Sequence, residues 1–92
     1  MARGANITLL SNASATGDAK AWYGGKGYFT AEATWGGGTV KLQFKTLNST
    51  TWIDVTNISL TANGGVAFEL PAGEIRANVA TATAVYSYAH PM

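Results

Sequence analysis

Residues 60–79 read "LTANGGVAFELPAGEIRANV" and carry two turn signals and two alternating runs. Val66, Phe68 and Leu70 share one face, and Ile75, Ala77 and Val79 again share one face. Between them Pro71-Ala72-Gly73 has turn chemistry, because proline fixes φ and glycine removes the Cβ penalty. The stretch is predicted to be a β-hairpin, with Ile75 opposite Phe68 and Pro71-Ala72-Gly73 reversing the chain. An even register would then set Glu69 and Glu74 side by side on the polar face, with Arg76 diagonally across.

Outward from this stretch the period of two continues. "TVKLQFKT" (39–46) points Val40, Leu42 and Phe44 inward and Thr39, Lys41, Gln43 and Lys45 to water. "YFTAEATW" (28–35) puts Phe29, Ala31, Ala33 and Trp35 on one face and Tyr28, Thr30, Glu32 and Thr34 on the other. Shorter runs follow the same rule: "NITLL" (6–10), "AKAWY" (19–23), "WIDVT" (52–56), "ISLT" (58–61) and "TAVYSYAH" (83–90). "GGKG" (24–27), "GGG" (36–38) and "ANGG" (62–65) are predicted as turns between them. Alternation with one polar face favours antiparallel pairing. The predicted fold is all-β, an antiparallel β-sandwich or jelly-roll-like barrel of about eight strands. Residues 19–92 form its single domain. Residues 1–18 contain the first strand and are a candidate N-terminal arm that orders on binding.

Ninety-two residues bury a modest core, and the absence of cysteine removes disulfides and thiolate metal sites. Only 12% of residues are charged, against about 25% in an average soluble domain. Apolar residues make up 47%. With so little charge to cover a small surface, burial against partner subunits is expected, so a homo-oligomer is the expected state. A net charge of +1 offers no basic stripe for nucleic acid. The N-terminus has no apolar segment long enough for a signal peptide, and no run approaches a membrane helix. The chain reads as complete, unprocessed and made in the cytosol.

Reaction chemistry is sparse. His90 is the one histidine, and a metal site or a nucleophile–base pair needs more than one terminal imidazole. A two-carboxylate site would draw on Glu69 and Glu74, which Arg76 neutralises in the predicted hairpin. The glycine runs lie between strands, not before the helix that a phosphate loop requires. No catalytic residue, metal or cofactor is expected. Four N-x-S/T sequons, at Asn6, Asn12, Asn48 and Asn57, reflect Asn-rich turns beside Thr-rich strands. The aromatic residues are the stronger binding candidates. Trp22, Tyr23, Tyr28, Trp35 and Trp52 are too many for a thin core, and together with Ile7 and Leu9 of the first strand they form the candidate interface. Trp22, Trp35 or Trp52 would serve as the stacking platform if the protein were a carbohydrate-binding module.

The order "GGGTVKLQFKTLNSTTWIDV" (36–55), "LTANGGVAFELPAGEIRANV" (60–79) and "TAVYSY" (83–88) resembles small β-sandwich virion proteins of tailed bacteriophages. In these a Gly-rich turn precedes a strand like "TVKLQ", and a "TTW" corner follows. An "F-x-LPAG-x-x-R-A-x-V" hairpin and a Tyr-containing last strand complete the pattern. The resemblance spans residues 35–88 and leaves the N-terminal third uncovered. It implies a non-enzymatic capsid decoration (cement) or head-fibre protein, made in the host cytoplasm and located in the virion. Its implied partner is the major capsid protein or another virion protein, and its implied state is a homo-oligomer, a trimer before other states. Neither nucleic acid nor membrane is an expected partner. A tail or baseplate component is the neighbouring alternative within the same class.

Overall fold

The computed structural model describes residues 6–92. Among them the regular elements are six strands: β1 (Ile7–Ala13), β2 (Lys20–Thr34), β3 (Thr39–Thr46), β4 (Ile53–Leu60), β5 (Gly64–Ala80) and β6 (Thr83–Pro91). All pairings are antiparallel, in the order β1-β6-β2-β5-β3-β4. The all-β antiparallel class therefore stands, with six strands where about eight are predicted.

The difference arises where strands run through expected breaks: β4 joins the runs 52–56 and 58–61 across Asn57, and β2 and β5 each run unbroken through segments predicted as turns. Fully extended, the 17 residues of β5 would reach about 55 Å at roughly 3.3 Å per residue. The longest dimension of the molecule is 37 Å, so the β2–β5 ribbon bends. The inward-facing set shows where. In β2 it changes from Trp22 to Gly27, Phe29 and Ala31; in β5 it changes from Phe68 to Gly73, Ile75 and Ala77. Both changes are steps of five residues, an odd number, so the pleat loses phase around Gly24-Gly25 and Pro71-Ala72. Gly24 and Gly25 supply the backbone for this, with φ of 95° and 98°, values that cost a Cβ-bearing residue dearly. The ladder has rungs at Tyr23–Ala72 and Gly25–Leu70 but none at Gly24–Pro71, where proline has no N–H to give.

The predicted hairpin at residues 66–79 is thus corrected. Pro71-Ala72-Gly73 does not reverse the chain, because each flank finds a better partner elsewhere. Val66–Leu70 pair with Gly25–Phe29 of β2, and Gly73–Ala80 pair with β3. Gly73 has no positive φ. Its role is space, since a Cβ there would lie 2.5 Å from the Lys45 carbonyl and 2.7 Å from the Phe44 ring. "GGKG" is corrected in the same way, from a turn to a bend within β2.

The bend turns one sheet into two facing halves, as in a sandwich. One half holds β1, β6, the second part of β2 and the first part of β5; the other holds the first part of β2, the second part of β5, β3 and β4. Between them lie Phe29, Val40, Leu42, Ile75 and Val85, all essentially inaccessible. Each such side chain contributes roughly 1.5–3 kcal/mol relative to exposure. Ser87 is buried among them and satisfied, its hydroxyl donating to the Thr30 carbonyl at 2.8 Å.

Three asparagines of the sequons occupy left-handed backbone: Asn12 (φ 51°), Asn48 (66°) and Asn57 (67°). Asparagine tolerates this region better than most residues. Asn12 lies in a stretch of β1 where the pairing with β6 shifts register. Asn57 does the same in β4 against β3, which explains how Val55 and Ile58 both turn inward.

Candidate functional site

Two surfaces concentrate binding chemistry, and the first follows from the bend. The first is the side of the sandwich where two strand edges face each other unpaired. β4 bonds only to β3, and residues 64–72 of β5 bond only to β2. Between these edges lies a cleft of about 360 Å³ whose apolar lining includes Phe44, Ile53, Ile58, Phe68 and Leu70. Its charged lining is Asp54 and Glu69. Ile53 is 53% exposed, and Leu47 in the β3–β4 loop is 64% exposed. The opposite side of the sandwich is closed by residues 14–19. There Gly17 N–H donates to the Ala77 carbonyl at 3.0 Å, and Thr16 Oγ1 accepts from Asn78 Nδ2 and Val79 N–H. A Cβ on Gly17 would meet the Leu9 carbonyl at 2.6 Å, so the segment sits tightly on β1. Residues 7–17 are therefore built into the sandwich. Of the proposed arm, residues 1–5 lie outside the described residues.

The second surface is the outer face of β2 and β6. Tyr86 and Tyr88 alternate outward on β6 because Val85, Ser87 and Ala89 are buried. Glu32 pairs with Tyr86 and Thr30 with Tyr88. The turn before β5 brings Asn63 to the end of this row. Asn63 Oδ1 accepts from Ala33 N–H at 3.1 Å and from Trp35 Nε1 at 2.8 Å. These five side chains border a shallow recess of about 220 Å³. His90 continues the row, its Nε2 3.0 Å from Thr30 Oγ1.

The outer face of β3, β4 and β5 is instead bonded within itself. Lys41 pairs with Asp54 at 3.0 Å, and Gln43 Nε2 donates to the same carboxylate at 2.8 Å. The Gln43 bond first, and Lys41 second, hold the Asp54 carboxyl below the usual aspartate range. Lys45 pairs with Glu74. Arg76 Nε donates to Gln43 Oε1 at 2.7 Å, and its guanidinium lies 4.4 Å from the centre of the Trp52 ring. Glu69 and Glu74 are not neighbours as the hairpin implied. They lie five residues apart in one strand, on either side of its bend, opposite Lys26 and Ala21 respectively.

The predicted interface residues do not form one surface. Leu9 and Trp22 are each 3% exposed and belong to the core. Ile7 and Trp35 are half-buried against that core. Trp52 is covered by Arg76, whereas Tyr23 and Tyr28 are exposed. Glu32, Asn63, Tyr86 and Tyr88 were absent from that set. The outward alternation of Tyr86 and Tyr88 in "TAVYSYAH" was the available signal; their placement beside Glu32 depends on pairing across 54 positions of chain.

The geometry defines an all-β, sandwich-like domain with one closed and one open side. Comparison of the chain with protein-family models, with curated proteins and with solved structures finds no match.

Proposed function

We propose that this chain is a non-enzymatic structural protein of a bacteriophage particle, which binds the assembled capsid and stabilises it. The observation that carries this reading is the open cleft between β4 and β5. Unpaired strand edges over an apolar trough are a template for strand addition. The occupant fits as an extended segment of the shell protein: main-chain bonds along the edge, apolar side chains in the trough, and a basic flank meeting Glu69. The low charge of the chain and the exposed Leu47 and Ile53 support a surface that is covered in the assembly. Stabilisation then follows from mass action, because a subunit that binds only the assembled shell lowers its free energy relative to the disassembled one.

The test compares particles with and without the protein for loss of nucleic acid on heating and at low salt. Complete particles are expected to survive the harsher condition. Equal tolerance removes the stabilising role. Localisation of the protein to the tail by electron cryomicroscopy would replace the capsid with a tail or baseplate partner.

A further inference from the structure

The recess on the outer face of β2 and β6 has a different chemistry from the cleft. Its lining holds two phenol rings, a carboxylate, a carboxamide and a hydroxyl, but no lysine or arginine. Asn63 is held by two bonds to Oδ1, which fixes the amide plane and leaves Nδ2 without a hydrogen bond among the described residues. The Glu32 carboxylate has neither an ion pair nor a hydrogen bond among them. The row is stiffened from beneath by the buried Ser87 hydroxyl on the Thr30 carbonyl. A preformed set of this kind loses little order on binding.

We propose that this recess binds a neutral saccharide. Each alternative class leaves a group unsatisfied. An anion meets Glu32 with no cation in the lining to offset it. A purely apolar ligand strands the carboxylate and the amide, at the cost of polar groups desolvated without partners. A neutral sugar ring matches both: its C–H face packs on a tyrosine ring, vicinal hydroxyls donate to Glu32, and Asn63 Nδ2 donates to a ring or hydroxyl oxygen. A volume of about 220 Å³ lies below the roughly 300–1,000 Å³ of pockets for drug-sized ligands, so it takes one sugar unit. Further units run along the row past His90 toward Tyr28, which pairs with His90. The tyrosines here, and not Trp22, Trp35 or Trp52, are the stacking groups. This goes beyond the capsid role and does not depend on it.

The test is an NMR titration of the full chain with maltohexaose, cellohexaose, chitohexaose and mannohexaose, with sialyllactose as the anionic comparison. At least one neutral oligosaccharide is expected to shift amides at Thr30, Glu32, Asn63, Tyr86 and Tyr88. E32Q and Y86A, both at exposed positions, are expected to weaken that binding about tenfold each, the loss of about 1.4 kcal/mol, with unchanged spectra elsewhere. E32Q retains the shape of the side chain, so it reads the site even where Y86A perturbs the sheet. Absence of shifts with all four neutral sugars overturns the proposal, as does binding of sialyllactose alone. Shifts confined to the β4–β5 cleft also overturn it. Particle stabilisation is read separately, so either result stands without the other.

Discussion

The Trp22 ring stands against Phe68 with centroids 5.0 Å apart and planes at 53°, and both rings occupy the space that a side chain on Gly27 would take. A Cβ at Gly27 would lie 2.6 Å from Phe68 Cζ and 2.7 Å from Trp22 Cη2. Trp22 Nε1 also donates to the Leu70 carbonyl at 3.3 Å, so the indole ties β2 to β5 just where the ribbon bends.

Overpacking of this cluster is expected to be costly. G27A should destabilise the fold by about 1–3 kcal/mol, read as a lower urea midpoint at unchanged slope. In an F68A background the same substitution should cost less, because the Phe68 atoms nearest the new Cβ are gone and the Trp22 ring, at 2.7 Å, gains room to move aside. Equal costs in both backgrounds would show that the rings do not depend on Gly27.

The strand pairing itself can be read directly. NMR should show cross-strand contacts between Lys20 and Ile75 and between Tyr28 and Ala67, partners in the ladder. Backbone contacts that pair Phe68 directly with Ile75 across two strands would restore the hairpin and refute the bent ribbon.

How far the sequence reveals this fold depends on the range of the interactions. β3 coincides with the predicted run 39–46 because Val40, Leu42 and Phe44 alternate without interruption and both flanks are turns. The segments around Gly24-Gly25 and Pro71-Gly73 mislead because glycine and proline usually punctuate elements. Here Gly24 and Gly25 bend a strand, and Gly27 and Gly73 admit rings from Phe68, Trp22 and Phe44. Which of these roles a glycine has depends on atoms far along the chain. The same limit applies to the recess: the outward tyrosines are legible, whereas Glu32 and Asn63 reach them only through pairing and a turn.

Acid should loosen the outer face of β3 and β4 through Asp54. Its carboxyl titrates below the ordinary aspartate value in the folded state. Its contribution is therefore complete above that ordinary value and is lost as pH falls through the depressed one. Between about pH 5 and about pH 3 the wild-type melting temperature should fall more than that of D54N, which lacks the titrating group. Parallel curves would remove Asp54 as a source of acid sensitivity.

The open cleft is the centre of the functional account, and binding of an Ile53 variant tests it most directly. Ile53 lines the cleft yet is half exposed, so I53D should keep the fold at a cost of about 1 kcal/mol, the scale of strand propensity. Wild-type protein and Y23A, altered at an exposed site outside the cleft lining, should both co-sediment with particles stripped of the protein. I53D should bind at least about tenfold more weakly, because its carboxylate is desolvated in an apolar trough. Folded I53D that co-sediments as tightly as the wild type would contradict the account.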